Sequence, residues 1–301
     1  MAATRGAGDA VSLGHLVRRF WRLTALTWVL VLLEGLCLVA LPLVIGRAVD
    51  GLMNERVTGV VELTVLCGVL LLVGAGRRVF DTRAYARIHR TVAGELVVHE
   101  KRRQASLSEI SARTHLFTEL IEFLEESIPS VLLQLINLAG TLVIIALIDL
   151  EVFLACLASI VFAALVYSLS EERIFRINAG ANDELERQVE ILAATSEREI
   201  PPHFKRLMGW RIKLSDLETL NFSVIWAALT LLLIFTVVVV TTTADLSFGR
   251  IVSAVMYVFG FIESVLILPL YYQQLVRLRE ITQRLARVEP PRRDPSEDDA
   301  R

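Results

Sequence analysis

Lysine is nearly absent from this chain: only Lys101, Lys205 and Lys213 occur in 301 residues, and none follows a glycine. A phosphate-wrapping loop needs a glycine-rich turn followed by Lys and Ser or Thr, so the chain is expected neither to bind nor to hydrolyse ATP by itself. Cysteine is as scarce. Cys37, Cys67 and Cys156 all fall in apolar runs, with neither close pairing nor metal-ligand spacing, which excludes a disulfide framework and leaves packing as their role. Also missing are a His-Glu-x-x-His zinc motif, a nucleophile elbow and a Cys-x-x-Cys redox pair. His15, His89, His99, His115 and His203 are scattered through polar segments and read as surface or packing residues. No catalytic residue, no metal site and no directly bound cofactor is expected. With a formal net charge of −2, nucleic acid is not an expected partner.

Apolar residues are what the chain has in excess. They make up 54% of it, yet 21% is charged, so the two kinds must be segregated along the sequence. A helix needs ~20 mostly apolar residues to span a bilayer. Six stretches qualify: Leu23 to Ile45, Val57 to Gly76, Ile128 to Ile148, Val152 to Leu169, Phe222 to Thr243 and Ile251 to Tyr272. The expected fold class is all-α, a polytopic membrane protein with the lipid bilayer as its surroundings. Orientation follows arginine, which is retained on the cytoplasmic side of span ends. Arg18, Arg19 and Arg22 precede the first stretch, Arg77, Arg78, Arg83, Arg87 and Arg90 follow the second, and "DLE" between the third and fourth carries no basic residue. Both termini are expected in the cytoplasm, with the protein in the plasma (inner) membrane. Residues 1–22 lack the apolar core of a signal peptide, and Leu13, Leu16, Val17 and Phe20 suit a short helix lying on the membrane surface.

The inner connections, residues 77–127 and 170–221, are about fifty residues each, far longer than helix connections need. Phe80, Ala84, Ile88 and Val92 recur every four residues, and Leu116, Phe117, Leu120, Ile121 and Leu124 at threes and fours. Both patterns are helical, so the connections read as stalks. Arg83, Arg87 and Arg90 on the outgoing arm would face Glu119, Glu122, Glu125 and Glu126 on the return, a salt-bridged face rather than a metal site. Ser106 and Glu109 have capping-box spacing, which predicts a short transverse helix at the first tip. In the second connection Pro201-Pro202 is expected to break any helix. The domain reading is a cytoplasmic segment 1–22, a six-helix domain 23–288 and a disordered charged tail 289–301.

"LVALPLVIGRAVDGL" at the end of the first stretch, and "ADLSFGRIVSAVMYVFGFIESVLILPLYYQQLVRLREITQRLARV" from the last stretch onward, resemble the six-helix transmembrane domain of ATP-binding cassette exporters. The resemblance covers roughly Leu16 to Val288. It implies a dimer, of this chain with itself or a homologous half, whose helices are exchanged between partners. It further implies stalk tips that dock into a separate ATPase subunit, through which ATP would act. Ser106, Ser108, Glu109, Glu190 and Glu197 are the coupling candidates by position. Two functions are then open: the membrane half of a transporter powered by a separately encoded ATPase, or an exporter-derived scaffold or regulatory protein without powered transport.

Two carboxylates stand within apolar runs, Glu34 in "LVLLEGLCL" and Glu263 in "YVFGFIESVLIL". Each is about halfway along its stretch and so expected near the bilayer midplane, where a charge costs ~3 kcal/mol or more. They are expected either to hydrogen-bond polar neighbours and join helices, or to line a central cavity with Gln134 and Asn137 and attract a cationic or amphipathic small molecule.

Overall fold

The computed structural model describes residues 18–193, 197–242 and 247–287. Most of the expected surface helix and the whole charged tail lie outside the described residues. Among those described there is no strand. The order is α1 (Trp21–Met53), α2 (Thr58–Arg102), α3 (Leu107–Glu122), a π-helical turn (Phe123–Ser127), α4 (Ile128–Ile148), α5 (Leu150–Ala193), a 3-10 turn (Glu197–Glu199), α6 (Ile200–Thr242) and α7 (Phe248–Arg287). The π turn joins α3 to α4, so that Leu107–Ile148 forms one helical rod, and six helices in all are long and apolar enough to cross a membrane. The chain is an integral membrane protein.

Length separates these helices from simple spans. α2, α5 and α6 have 45, 44 and 43 residues, or ~65 Å each at 1.5 Å per residue, about twice the hydrocarbon thickness. Interruptions between helices are short and have local causes. At "DLE" the Asp149 carboxylate accepts from the Val152 amide at 3.0 Å, satisfying one of the four donors that a helix start leaves free. Between α1 and α2, Glu55 adopts φ 57°, and the Arg56 amide closes the turn on the Gly51 carbonyl at 2.7 Å.

The chain divides into two compact units, one taking in the described residues up to Thr141 and those from Glu263 on, the other Leu142–Ile262. In the first, α1 and α2 form an antiparallel hairpin. A Cβ at Gly59 would meet the Ala48 backbone at 2.7 Å, and one at Gly74 would meet the Glu34 carboxylate at 3.3 Å. These contacts fix a common register, in which partner residue numbers sum to about 107 or 108. α1 also approaches α4 closely, with Gly35 against Ile136 and Gly140 against Val39. Beyond the apolar part, the first stalk has a core of Tyr85, Ile88, Val92, Phe117, Leu120, Ile121 and Leu124. Six of these seven are periodic residues of the sequence, Tyr85 being the addition, and a fully buried large side chain such as Phe117 stabilises the stalk by ~1.5–3 kcal/mol. In the second unit α5 packs along α6, with the Trp210 indole seated directly on Gly180.

Three expectations change. The capping box is present, with the Glu109 amide donating to Ser106 Oγ at 3.2 Å and the Ser106 amide to Glu109 Oε2 at 3.1 Å. It opens the returning arm α3 itself rather than a transverse helix, because nothing interrupts the apolar period between Ile110 and Ile128. The first stalk is not closed by its Arg and Glu rows facing one another. Glu119 instead binds Arg277 of α7 at 2.7 Å, and the pair joining α2 to α3 is Glu100 with Arg113. Pro201 and Pro202 begin α6 instead of breaking it. In a first turn the missing amides would have no intrahelical partner anyway, and proline's fixed φ suits the position.

Candidate functional site

Four polar side chains meet between α1 and α2. Arg77 Nε donates to Glu34 Oε2, Arg77 Nη1 donates to Asp81 Oδ2 at 3.1 Å, and Thr27 Oγ1 donates to Asp81 Oδ1 at 2.7 Å. All four residues are at least nine-tenths buried. Local sequence explains the arrangement. Arg77 and Asp81 are one helical turn apart and share a face, while Thr27 and Glu34 are two turns apart on α1 and share the opposing one. Gly74 leaves room for the Glu34 carboxylate where a side chain would crowd it.

Register also locates the cluster in depth. Arg47 and Glu62 pair at 3.6 Å at the far end of the hairpin, largely exposed. From Arg47 to Glu34 is thirteen residues, ~20 Å of helix, against a hydrocarbon layer of ~30 Å. Glu34 therefore lies ~20 Å along α1 from that exposed pair, well inside the apolar run of the helix. Only fourteen residues, Leu63 to Gly76, separate Glu62 from Arg77, ~21 Å. Arg77 is thus buried against the apolar run of α1, although by sequence it reads as the first residue of a loop.

Two carboxylates and one guanidinium leave the cluster one negative charge in excess. Taking such groups out of water costs several kcal/mol per ion, and their attraction recovers this only when the remaining hydrogen-bonding positions are filled. Thr27 fills one on Asp81. Chemically the cluster fixes α1 against α2 in a single register, since sliding by one residue would strand a charge in an apolar layer.

The other expected residues fall elsewhere. Gln134 and Asn137 are half-buried on α4 beside Ile136, and Glu34 is held by Arg77, not by either of them. Glu263 is exposed on α7, while its neighbours Ile262 and Ser264 are buried, so it points away from the chain's own packing. At the first tip Ser106, Ser108 and Glu109 are exposed. Ser106 Oγ lies 3.0 Å from Ser108 Oγ, and Leu107 between them is 82% exposed. Glu190 is exposed on α5, and Glu197 opens the 3-10 turn before α6; the Glu197 side chain is outside the described residues.

Sequence reasoning missed a second polar cluster, at the base of α6. His203 Nδ1 lies 2.8 Å from Glu184 Oε1, and Arg206 Nε donates to the same oxygen at 2.8 Å. The hydrogen bond with His203 and the nearby Arg206 hold the Glu184 carboxyl below its usual range, although burial opposes the shift. Its signal in the sequence was an i, i+3 pair of basic side chains just after the prolines. The partner, nineteen residues earlier, could be found only once the two helices were known to pack.

Against this geometry, the family model described as "ABC transporter transmembrane region" matches residues 13–249. The chain belongs to that family. The matched part of this ABC transporter transmembrane region takes in the Glu34–Arg77–Asp81 cluster, both stalks and the first five apolar helices. No curated protein matches the chain.

Proposed function

We propose that this ABC-type membrane domain is the transmembrane subunit of a transporter, pairing with a second copy or a homologous half to form the translocation pathway and driven by a separately encoded ATPase. The observation that carries the reading is the second stalk. Outside the apolar span, α5 and α6 expose Phe175, Leu185, Val189, Phe204, Met208 and Ile212, with Phe175 and Val189 more than 70% exposed. An apolar face of this length on the polar side of a membrane needs a covering surface, and helices exchanged between paired halves would supply one. The exposed tip at Leu107 suits docking of the motor. Glu263, turned away from the chain's own packing, is the carboxylate available to a shared cavity and to a cationic or amphipathic cargo.

Two measurements test this. In a Cys67→Ala background, since Cys67 is exposed, a cysteine at Ser108 should crosslink to a co-expressed cassette ATPase while one at Asn54 should not. Phe175→Ser with Ile212→Ser should weaken self-association without lowering the unfolding temperature in detergent. An ATPase that docks away from both tips, or a pair unaffected by the two serines, would return the chain to the scaffold reading. Given transport, Glu263→Gln should selectively lose cationic substrates.

A further inference from the structure

Where α5 and α6 leave the apolar part of their path, they enclose a groove of about 760 Å³. Its membrane-side wall is apolar, made by Leu169 and Leu220 with Leu217 behind them, and its opposite side carries Arg173, Arg176 and Lys213. Trp210 forms part of the lining, and its position is built rather than incidental. The indole rests on Gly180, where a Cβ would come within 2.7 Å of the ring. On the ring sits the Lys213 ammonium, with Nζ 4.2 Å from the centroid, a cation–π contact that fixes a long, otherwise free side chain beside the groove.

The levels of these groups match the layers of a bilayer. Leu169 ends the apolar run of α5, with Arg173 and Arg176 four and seven residues beyond it, or ~6 and ~10 Å along the helix. On α6, Lys213 lies seven residues from Leu220, again ~10 Å. The polar headgroup layer on each side of the hydrocarbon is ~5–8 Å deep. Arg173 therefore stands at headgroup depth, and Arg176 and Lys213 lie just beyond it, where long side chains can still reach the headgroups, below an apolar wall that continues into the hydrocarbon. Glu172 and Asp216 also line the groove. Glu172 approaches Arg176 only at 3.9 Å, with both side chains at least 70% exposed, so that pair is largely screened by water and the groove keeps one positive charge in excess.

We propose that this groove binds the headgroup of an anionic phospholipid. The phosphate accepts from Arg173, Arg176 and Lys213, and the acyl chains lie along Leu169 and Leu220. Basic pockets between membrane helices at headgroup level have this chemistry. A soluble anion would use the cations but leave the apolar wall against water; the lipid uses both. The site stands apart from the Glu34 cluster and from the stalk tips, and it does not depend on the proposed transport function.

The test is lipid retention by the full chain in detergent, measured by native mass spectrometry during titration with phosphatidylglycerol, phosphatidylcholine or glycerol 3-phosphate. Phosphatidylglycerol should bind in preference to phosphatidylcholine. The triple variant Arg173→Gln, Arg176→Gln, Lys213→Gln should bind it on the order of a hundredfold more weakly, about fivefold for each cation at an anionic surface. Removing the same charge from the first stalk, with Arg83→Gln, Arg87→Gln and Arg90→Gln, should change affinity by less than about threefold. Both triple variants alter exposed side chains, and an unchanged unfolding temperature verifies that they fold. The proposal is overturned if the groove variant retains affinity, or if the first-stalk variant loses as much, which would mean a diffuse field. Competition by glycerol 3-phosphate at lipid concentrations would identify a free-phosphate site instead. Protection of a cysteine at Lys213 in the lipid-free dimer would give the groove to a second copy.

Discussion

The two stalks have similar lengths and opposite construction. The first closes on itself: seven buried apolar or aromatic residues from α2, α3 and the π turn form its core, His89 and Thr118 hydrogen-bond across it at 2.9 Å, and Glu100 pairs with Arg113 near its tip. The second is held by a tryptophan on a glycine, a Ser170–Asn221 hydrogen bond of 2.8 Å and the Glu184 cluster. Two of its buried polar atoms, His203 Nε2 and Asn221 Nδ2, have no hydrogen-bond partner, as is also true of Arg113 Nε in the first. It also leaves its apolar side chains facing outward. A hairpin with its own core is a self-sufficient support, whereas one with polar contacts inside and apolar ones outside has the construction that the proposed pairing of two halves would complete. Apolar packing is therefore concentrated in the first stalk, and the second exposes the apolar side chains it has.

Four substitutions and a fall in pH would break or sharpen that contrast. Arg77→Gln should be the most damaging, lowering stability by ~3–5 kcal/mol because it leaves Glu34 and Asp81 buried and uncompensated. Glu34→Gln should cost clearly less, since Arg77 keeps Asp81; thermal unfolding in detergent compares the two, and equal losses would show that compensation of the carboxylates by Arg77 is not what holds the cluster. Phe117→Ala should follow at ~3–4 kcal/mol through the cavity it opens in the first stalk. In the second stalk, Gly180→Ala drives a methyl into the Trp210 ring and should cost ~1–3 kcal/mol, read as a change in Trp210 emission as well as in unfolding. Smallest is the effect of acid. Glu184 has its folded pKa lowered from 4.5, so its contribution is present above that value and is lost as the pH falls through the lower folded one. Protection from hydrogen exchange in the first turns of α6, relative to the intrinsic rate at each pH, should fall below about pH 4.5, and that loss should be absent in Glu184→Gln. Glu95, held low by its hydrogen bond with Arg19, should show a weaker response because that pair is exposed.

Hydropathy and helical periodicity made most of the architecture legible, because six apolar runs and two amphipathic stalks are properties of single helices. What sequence could not show depends on pairs of helices. Arg77 reads as the first basic residue of a loop; only the register of α1 on α2, set by Gly59 on Ala48 and Gly74 on Glu34, places it against the apolar run of α1 beside a carboxylate. Glu34 was visible as an acid within an apolar run, but Arg77 as its partner was not, because that pairing depends on the neighbouring helix. The proline pair was read through a rule for helix interiors, and the structure puts it in a first turn. Trp210 and Gly180 are thirty residues apart and gave no signal at all.

The π turn at Phe123–Ser127 acts as a gear between the stalk and the membrane. Its extra residue, marked by the Ile128 amide bonding back five residues to the Phe123 carbonyl, offsets everything after it by roughly 100° from where an unbroken α-helix would point. The face of α3 that serves the stalk core and the face of α4 that meets α1 are thereby aimed independently, although they belong to one rod. Deleting a single residue here would leave both halves helical and hydrophobic, yet turn Ile136 and Gly140 away from the helix they pack on, a phase error rather than a loss of contacts.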